Sequence, residues 1–133
     1  MTRVVLGLLF DINGNILIAK RNRAKKYGGL WEFPGGKVEA EESVEAALAR
    51  EIWEELDAPI AIDCVYRSYL FSHDNPEAEF IPIKGRISPA DITLLEHDEH
   101  RFIPLHELGE FDFSPPDYGA IKLIETRRQI FND

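Results

Sequence analysis

The chain has 133 residues, 44% of them hydrophobic and 29% charged, the balance of one ordinary globular domain rather than of a disordered or low-complexity protein. Lys and Arg total 15 against 24 Asp and Glu, so the formal charge is −9. That charge repels a phosphate backbone and disfavours a nucleic-acid polymer as partner, but it admits a small phosphate ester wherever a divalent cation stands between ester and acids.

Cys64 is the single cysteine, which excludes an intrachain disulfide and a multi-cysteine zinc site and suits a reducing compartment. The longest apolar run, Val4 to Phe10, falls far short of the roughly 20 residues a membrane-crossing helix needs, and no small-residue cleavage site follows it. A cytoplasmic protein off the membrane is expected, one domain over residues 1–133, either monomer or homodimer.

In chain order, Val4–Phe10 reads as a buried strand. Asn13-Gly14 is a tight-turn signal, and Ile16–Ala19 is the return strand of a hairpin. Residues 21–30 are basic and irregular, a loop. Trp31–Phe33 is a short aromatic strand broken by Pro34-Gly35-Gly36. Ser43 caps a helix running to Leu56, stopped by Pro59. Two β-rich stretches follow, about 60–72 and 78–87, with Asp74-Asn75-Pro76 as the turn between them. Residues 88–99 read as a loop holding the histidines His97 and, just beyond, His100. Arg101–Leu105 reads as a strand. Ser114-Pro115-Pro116-Asp117 opens a second helix with Asp117 at the third position of a capping box, and Ile121, Ile124 and Phe131 recur at helical spacing. Strands mixed with two helices give an α+β fold, a mixed β-sheet layered with α-helices. None of His73, His97, His100 and His106 stands at a zinc-ligand spacing, and all four read as surface or loop residues.

The chemistry concentrates on the first helix. At about 100° per residue, Glu51, Glu54 and Glu55 share one face, while Ala49, Ile52, Trp53 and Leu56 form another that suits packing on the sheet. Three acids at i, i+3 and i+4 near a helix C-terminus repel one another and oppose the macrodipole. A hard divalent ion reverses the sign, since oxygen ligands are what Mg²⁺ and Mn²⁺ prefer. Taken alone, such glutamates also describe an ordinary solvated face.

The surrounding spacing goes further. Gly36, Glu42, Arg50-Glu51, aliphatic Ile52 and Glu54-Glu55, preceded by Trp31-Glu32-Phe33-Pro34-Gly35-Gly36-Lys37, resemble the box of the Nudix hydrolases in its MutT-like form. The pattern departs at Asp57 and Ala58, where the family has glycine and an aliphatic residue. The glycine ends the helix in a left-handed conformation that Asp tolerates better than most residues.

The resemblance implies a Nudix fold and Mg²⁺-dependent hydrolysis of nucleoside triphosphates, oxidised or modified dNTPs such as 8-oxo-dGTP and dCTP-like substrates among them, to a monophosphate and pyrophosphate. Mn²⁺ is an expected substitute. It implies metal ligands at Glu51, Glu54, Glu55 and the Gly35 carbonyl, and a general base at Glu51 or Glu99, although the acidic surroundings of Glu99 favour a plain loop acid. Arg50 would orient the carboxylates or form a surface pair, and Glu42 would hold Arg50 or favour the helix N-terminus. Arg21 and Lys37 would meet phosphates or stand as solvated cations. Phe33 would stack on the base or belong to the core, and Asp117 would read the base edge or cap its helix. A nucleotide-sugar or RNA-cap diphosphatase, and a non-catalytic nucleotide-binding module, are the rival readings. The module is opposed by the complete set of box carboxylates.

Overall fold

Alternation along the first strand sets the architecture. In a computed structural model describing residues 1–72 and 76–127, β1 (Thr2–Phe10) turns Leu6, Leu8 and Phe10 to one side and Val5 and Leu9 to the other, all of them buried. A strand buried on both faces needs a layer on each side. Helix α1 (Val44–Leu56) covers the Val5 and Leu9 side with Ala47, Leu48, Ile52 and Leu56. Helix α2 (Tyr118–Thr126) covers the other with Ala120, Ile121 and Ile124. Each such side chain removed from water contributes about 1.5–3 kcal/mol before entropy is counted.

The remaining strands are β2 (Ile16–Lys20), β3 (Trp31–Glu32), β4 (Gly35–Lys37), β5 (Ala61–Val65), β6 (Tyr69–Phe71), β7 (Ala78–Arg86) and β8 (Glu99–Ile103). The spatial order is β3-β2-β1-β7-β5, with β4 also on β1, β6 on β7 and β8 on β2. The sheet is mixed, because β1 and β7 run parallel from Thr2↔Ala78 to Phe10↔Arg86 while the other ladders are antiparallel. Strand β2 meets β1 at Phe10↔Ile16 and then follows β8, and β4 takes its place beside β1 at Val4–Leu6. The space between these diverging partners is where the site forms.

Several local readings change. The turn after β1 is organised by Asp11, whose carboxylate accepts from the N–H groups of Asn13 and Asn15, both at 2.9 Å, with Gly14 at φ +79°. Gly35-Gly36 does not simply break the aromatic strand, since the chain resumes as β4 because the glycines fit against β1. The stretch 60–72 divides into β5 and β6, and β8 begins at Glu99. Residues Pro115–Asp117 form a 3-10 turn, so α2 starts at Tyr118; Ser114 makes no side-chain cap and instead donates to Asp117. Trp53 is half exposed and Ala49 only partly buried, because α1 meets the sheet through Ala47 and Leu48 rather than through them. Cys64 lies exposed on β5. His73, Asp74, Asn75 and Phe131 lie outside the described residues. Among the described residues no helix is long and apolar enough to cross a membrane.

Candidate active site

Helix α1 enters and leaves its glutamates under tight control. Ser43 Oγ accepts from the Ala46 N–H at 3.1 Å, closing the first turn. At the far end Asp57 takes the left-handed conformation, φ 53° and ψ 40°, and donates its N–H to the Trp53 carbonyl at 3.1 Å. The last carbonyls are met from residues 93 and 95: the Thr93 N–H reaches Leu56 at 2.9 Å and the Leu95 N–H reaches Glu55 at 3.0 Å. Those bonds fix the 92–98 loop to the helix end, and the three acids differ in exposure. Glu54 keeps a side chain 55% exposed, Glu51 falls to 15%, and Glu55 is buried.

Arg50 gathers the acids that remain within its reach. Its Nε and Nη2 donate to the two oxygens of Glu42 at 2.7 and 2.9 Å, and Nη2 also donates to the Lys37 carbonyl at 2.9 Å. Its Nη1 reaches Glu51 at 3.0 Å and Glu54 at 3.2 Å. The arginine therefore ties the loop before α1 to two turns of the helix, which is more than the surface pair that sequence also allowed. Its guanidinium holds the Glu42 carboxyl down at about 2, assisted by the Glu39 N–H, and is itself held more firmly protonated in return.

Glycines bring the backbone up to this cluster. A Cβ on Gly35 would overlap the Val5 carbonyl of β1, and a Cβ on Gly36 would overlap the carboxyl of Glu51. Beneath them Glu55 is pushed up to about 9, first by burial and then by the charges of Glu32, Glu51 and Glu96. Its Oε1 is buried with no hydrogen-bond partner. Burial likewise raises Glu51.

These groups line a cleft of about 430 Å³. Its acids are Glu51, Glu54, Glu55, Glu32 and Glu96, and its cations are Arg21, Lys25 and Lys37, with Arg21 paired to Glu32 and Lys25 lying 3.8 Å from Glu96. A larger hollow of about 560 Å³ lies elsewhere, between Phe10–Ile12, Pro59–Ala61 and Arg86–Pro89, and carries no such grouping of acids.

Four residues that the sequence left with more than one reading have the following surroundings. Glu99 is the first residue of β8, paired in register with Lys20, and its carboxylate accepts from Arg101 at 2.8 Å. The acid that the 92–98 loop brings to the cleft is Glu96. Phe33 is 1% exposed with its ring 5.2 Å from that of Phe113, a core position that leaves no face for a nucleobase. Asp117 is 3% exposed; one oxygen accepts from the Phe33 N–H at 2.7 Å and the other from Ser114 Oγ at 3.2 Å, so it ties β3 to the start of α2. Burial drives its carboxyl well above the usual range. His97 is no surface histidine: its side chain is 5% exposed and its Nε2 lies 2.7 Å from Glu32. Glu32, Glu96 and His97 carried no helical spacing or recognised metal pattern, since only folding brings residues 32 and 97 together.

The description "NUDIX domain" matches the chain over residues 1–124. The chain belongs to this family. Among relatives, an 8-oxo-dGTP diphosphatase of Proteus vulgaris is 41% identical over 76 residues, 56% of this chain and 64% of that protein. A CTP pyrophosphohydrolase of Escherichia coli strain K12 is 42% identical over 83 residues, 62% of this chain and 54% of that protein. The chain thus spans less than two thirds of either. An 8-oxo-dGTP diphosphatase of Buchnera aphidicola subsp. Schizaphis graminum is 32% identical over 133 residues, covering 98% of this chain and 96% of its own length. Among solved structures, the MutT protein of Methanosarcina mazei Go1 superposes with a TM-score of 0.82 at 24% identity, over 96% of this chain and 94% of that one. The α+β layering described above is the Nudix fold.

Whether the cleft suits a divalent cation is a question for its donors. Oxygen donors of carboxylates and backbone carbonyls are the hard ligands such an ion takes. The orphaned Glu55 Oε1 is a buried acceptor in want of a positive partner. Among the described residues no three acidic, histidine or cysteine side chains are already drawn together in metal-holding positions, and Glu51 and Glu54 are turned to Arg50. The donor set fits the ion in kind, with Arg50 holding two of the acids in reserve.

Proposed function

We propose that this chain is a divalent-metal-dependent Nudix hydrolase that cleaves nucleoside triphosphates to a nucleoside monophosphate and pyrophosphate, with oxidised dNTPs such as 8-oxo-dGTP as the leading substrates. The observation that carries the reading is the unpartnered, buried Glu55 oxygen standing in one cleft with Glu51, Glu54 and the cations Arg21, Lys25 and Lys37. The named relatives support the substrate class. The Escherichia coli relative favours a second base, cytosine, within the same reaction.

In this reading Glu51, Glu54, Glu55 and the Gly35 carbonyl hold Mg²⁺, or Mn²⁺ in its stead, and the chemistry such an ion supplies is neutralisation of phosphate charge. Arg21 and Lys37 bind substrate phosphates. Water attacks a phosphorus of the α–β linkage, the bridging P–O bond breaks, and its electron pair leaves on the phosphate oxygen of the other half, giving monophosphate and pyrophosphate. In this reading the proton of that water passes to a cleft carboxylate, Glu51 or Glu96. Arg50 holds the acids in order between turnovers. One Nudix domain spans residues 1–133, and the substrate together with the lone cysteine supports a cytoplasmic setting.

The test is a nucleotide panel with Mg²⁺ or Mn²⁺, including 8-oxo-dGTP, dGTP, dCTP, CTP and a nucleotide sugar, with both products identified. Pyrophosphate and monophosphate are expected. Glu54→Gln, at an exposed position that leaves the fold alone, is expected to lower the rate about 10²–10⁴-fold. No pyrophosphate from any nucleotide would end the proposal, and a near-normal rate in the variant would remove Glu54 from the site.

A further inference from the structure

Arg21 stands in the cleft at the end of a chain of three side chains from distant parts of the sequence. Glu32 lies on β3 with its side chain 12% exposed, and both of its oxygens are engaged. Oε1 accepts from Arg21 Nη1 at 2.6 Å, and Oε2 lies 2.7 Å from His97 Nε2. A carboxylate only accepts, so the contact is made by a hydrogen on the histidine Nε2. His97 Nδ1 is buried with no partner, so Glu32 is the polar neighbour that the ring serves. The loop carrying the histidine is pinned independently, the Asp98 N–H donating to the Lys20 carbonyl at 3.0 Å.

We infer that His97 is a positioning residue for Arg21, acting through Glu32. A guanidinium has five N–H donors. Arg21 commits Nε to the Lys26 carbonyl at 2.8 Å and one Nη1 hydrogen to Glu32, which fixes the plane of the fork and leaves three donors for a ligand. A long arginine in a basic loop otherwise samples many rotamers and must be ordered when the ligand binds. Here that ordering is made in advance, and His97 fixes the Glu32 carboxylate that makes it. Because Glu96 is next to His97, the same loop carries a cleft acid and the group that fixes a cleft cation. The ligand class is a phosphate chain, and the inference rests on the triphosphate reading above.

Two measurements decide it. The first is the ¹H–¹⁵N signal of Arg21 Nε in the ligand-free full chain, which needs no turnover. It is expected to be ordered in wild type and in His97→Gln, whose amide nitrogen reaches about as far as Nε2, and averaged in His97→Asn and His97→Ala, whose side chains stop short. Thermal melts of each variant establish that the fold is retained. The second is steady-state kinetics on the best nucleotide of the panel. His97→Ala is expected to raise KM about ten-fold with kcat within about three-fold, His97→Gln to restore KM, and His97→Ala on an Arg21→Ala background to change KM by less than about two-fold. An Arg21 signal as ordered in His97→Ala as in wild type would overturn the inference, as would additive effects in the double variant. If wild type hydrolyses nothing, the triphosphate reading falls while the Arg21 signal still decides the positioning.

Discussion

Gly35 and Gly36 are adjacent glycines on one strand, yet they should fail in opposite ways when a methyl group is added. At Gly36 the new Cβ would overlap the Glu51 carboxyl, the far end of a flexible side chain. The carboxyl can move aside at the cost of an off-rotamer torsion, about 0.5–1.5 kcal/mol. Replacing glycine by alanine in a strand returns about 0.5–1 kcal/mol, so Gly36→Ala should fold within about 1 kcal/mol of wild type. The carboxyl that moves is one assigned to the reaction, and activity should fall about 10–100-fold, as when the support of a metal-site ligand is lost. At Gly35 the Cβ would overlap the Val5 carbonyl, and Leu6↔Gly35 is a register pair, so nothing yields without parting β4 from β1. Overpacking of this kind costs about 1–3 kcal/mol or more. For a chain of this size that lowers the melting temperature by several degrees per kcal/mol, roughly 3–10 °C in all. Calorimetric melts and kcat/KM on the same preparations separate the two. A Gly36→Ala enzyme with wild-type kcat/KM, or a Gly35→Ala protein as stable as wild type, would refute the reasoning.

Three further outcomes follow from the geometry. Asp117 has a folded carboxyl well above its ordinary value of 3.8, so the native state holds an extra proton between those values and this group's contribution to stability falls as pH rises through that window. Asp117→Asn keeps an acceptor for the Phe33 N–H and should gain on wild type in urea unfolding at pH 8 relative to pH 5; a gap unchanged between the two would contradict the burial argument. Asp57 occupies the left-handed helix end at φ 53°, and Asp57→Gly should raise stability by about 1 kcal/mol in the same assay, since glycine takes that conformation without a Cβ penalty. Phe33→Ala should cost about 3–5 kcal/mol, as expected for an aromatic in the core, where loss of substrate affinity without destabilisation would mark a base-stacking role instead.

What could be read from the chain followed the range of the forces involved. The cap at Ser43, the helix to Leu56 and the left-handed Asp57 depend on neighbours within four residues, and the structure has all three. The two-sided burial of β1 was legible as an unbroken apolar run. Strand β4 was missed because glycine carries no strand propensity, and its partner Val4–Leu6 lies some thirty residues away. Glu32, Glu96 and His97 were missed for the same reason, since nothing in residues 30–34 announces residues 95–98.

The three glutamates show where periodicity stops. Equal spacing placed them on one face, and the turn angle has no means of ranking them. The ranking comes from tertiary surroundings: the Glu51 carboxyl lies against Gly36 and, with Glu54, in reach of Arg50, while Glu55 is buried near Glu32 and Glu96. Like-charge repulsion along the helix is therefore relieved twice by different means, by a guanidinium at Glu51 and Glu54 and by burial that favours the neutral acid at Glu55. Only the second leaves an unsatisfied oxygen, at a cost of about 1–3 kcal/mol. An apolar residue at position 55 would avoid that cost and pack as Leu56 does. Folding alone gives no reason to keep an acid with an unpartnered oxygen there, and the proposed chemistry supplies one, an ion for that oxygen to bind.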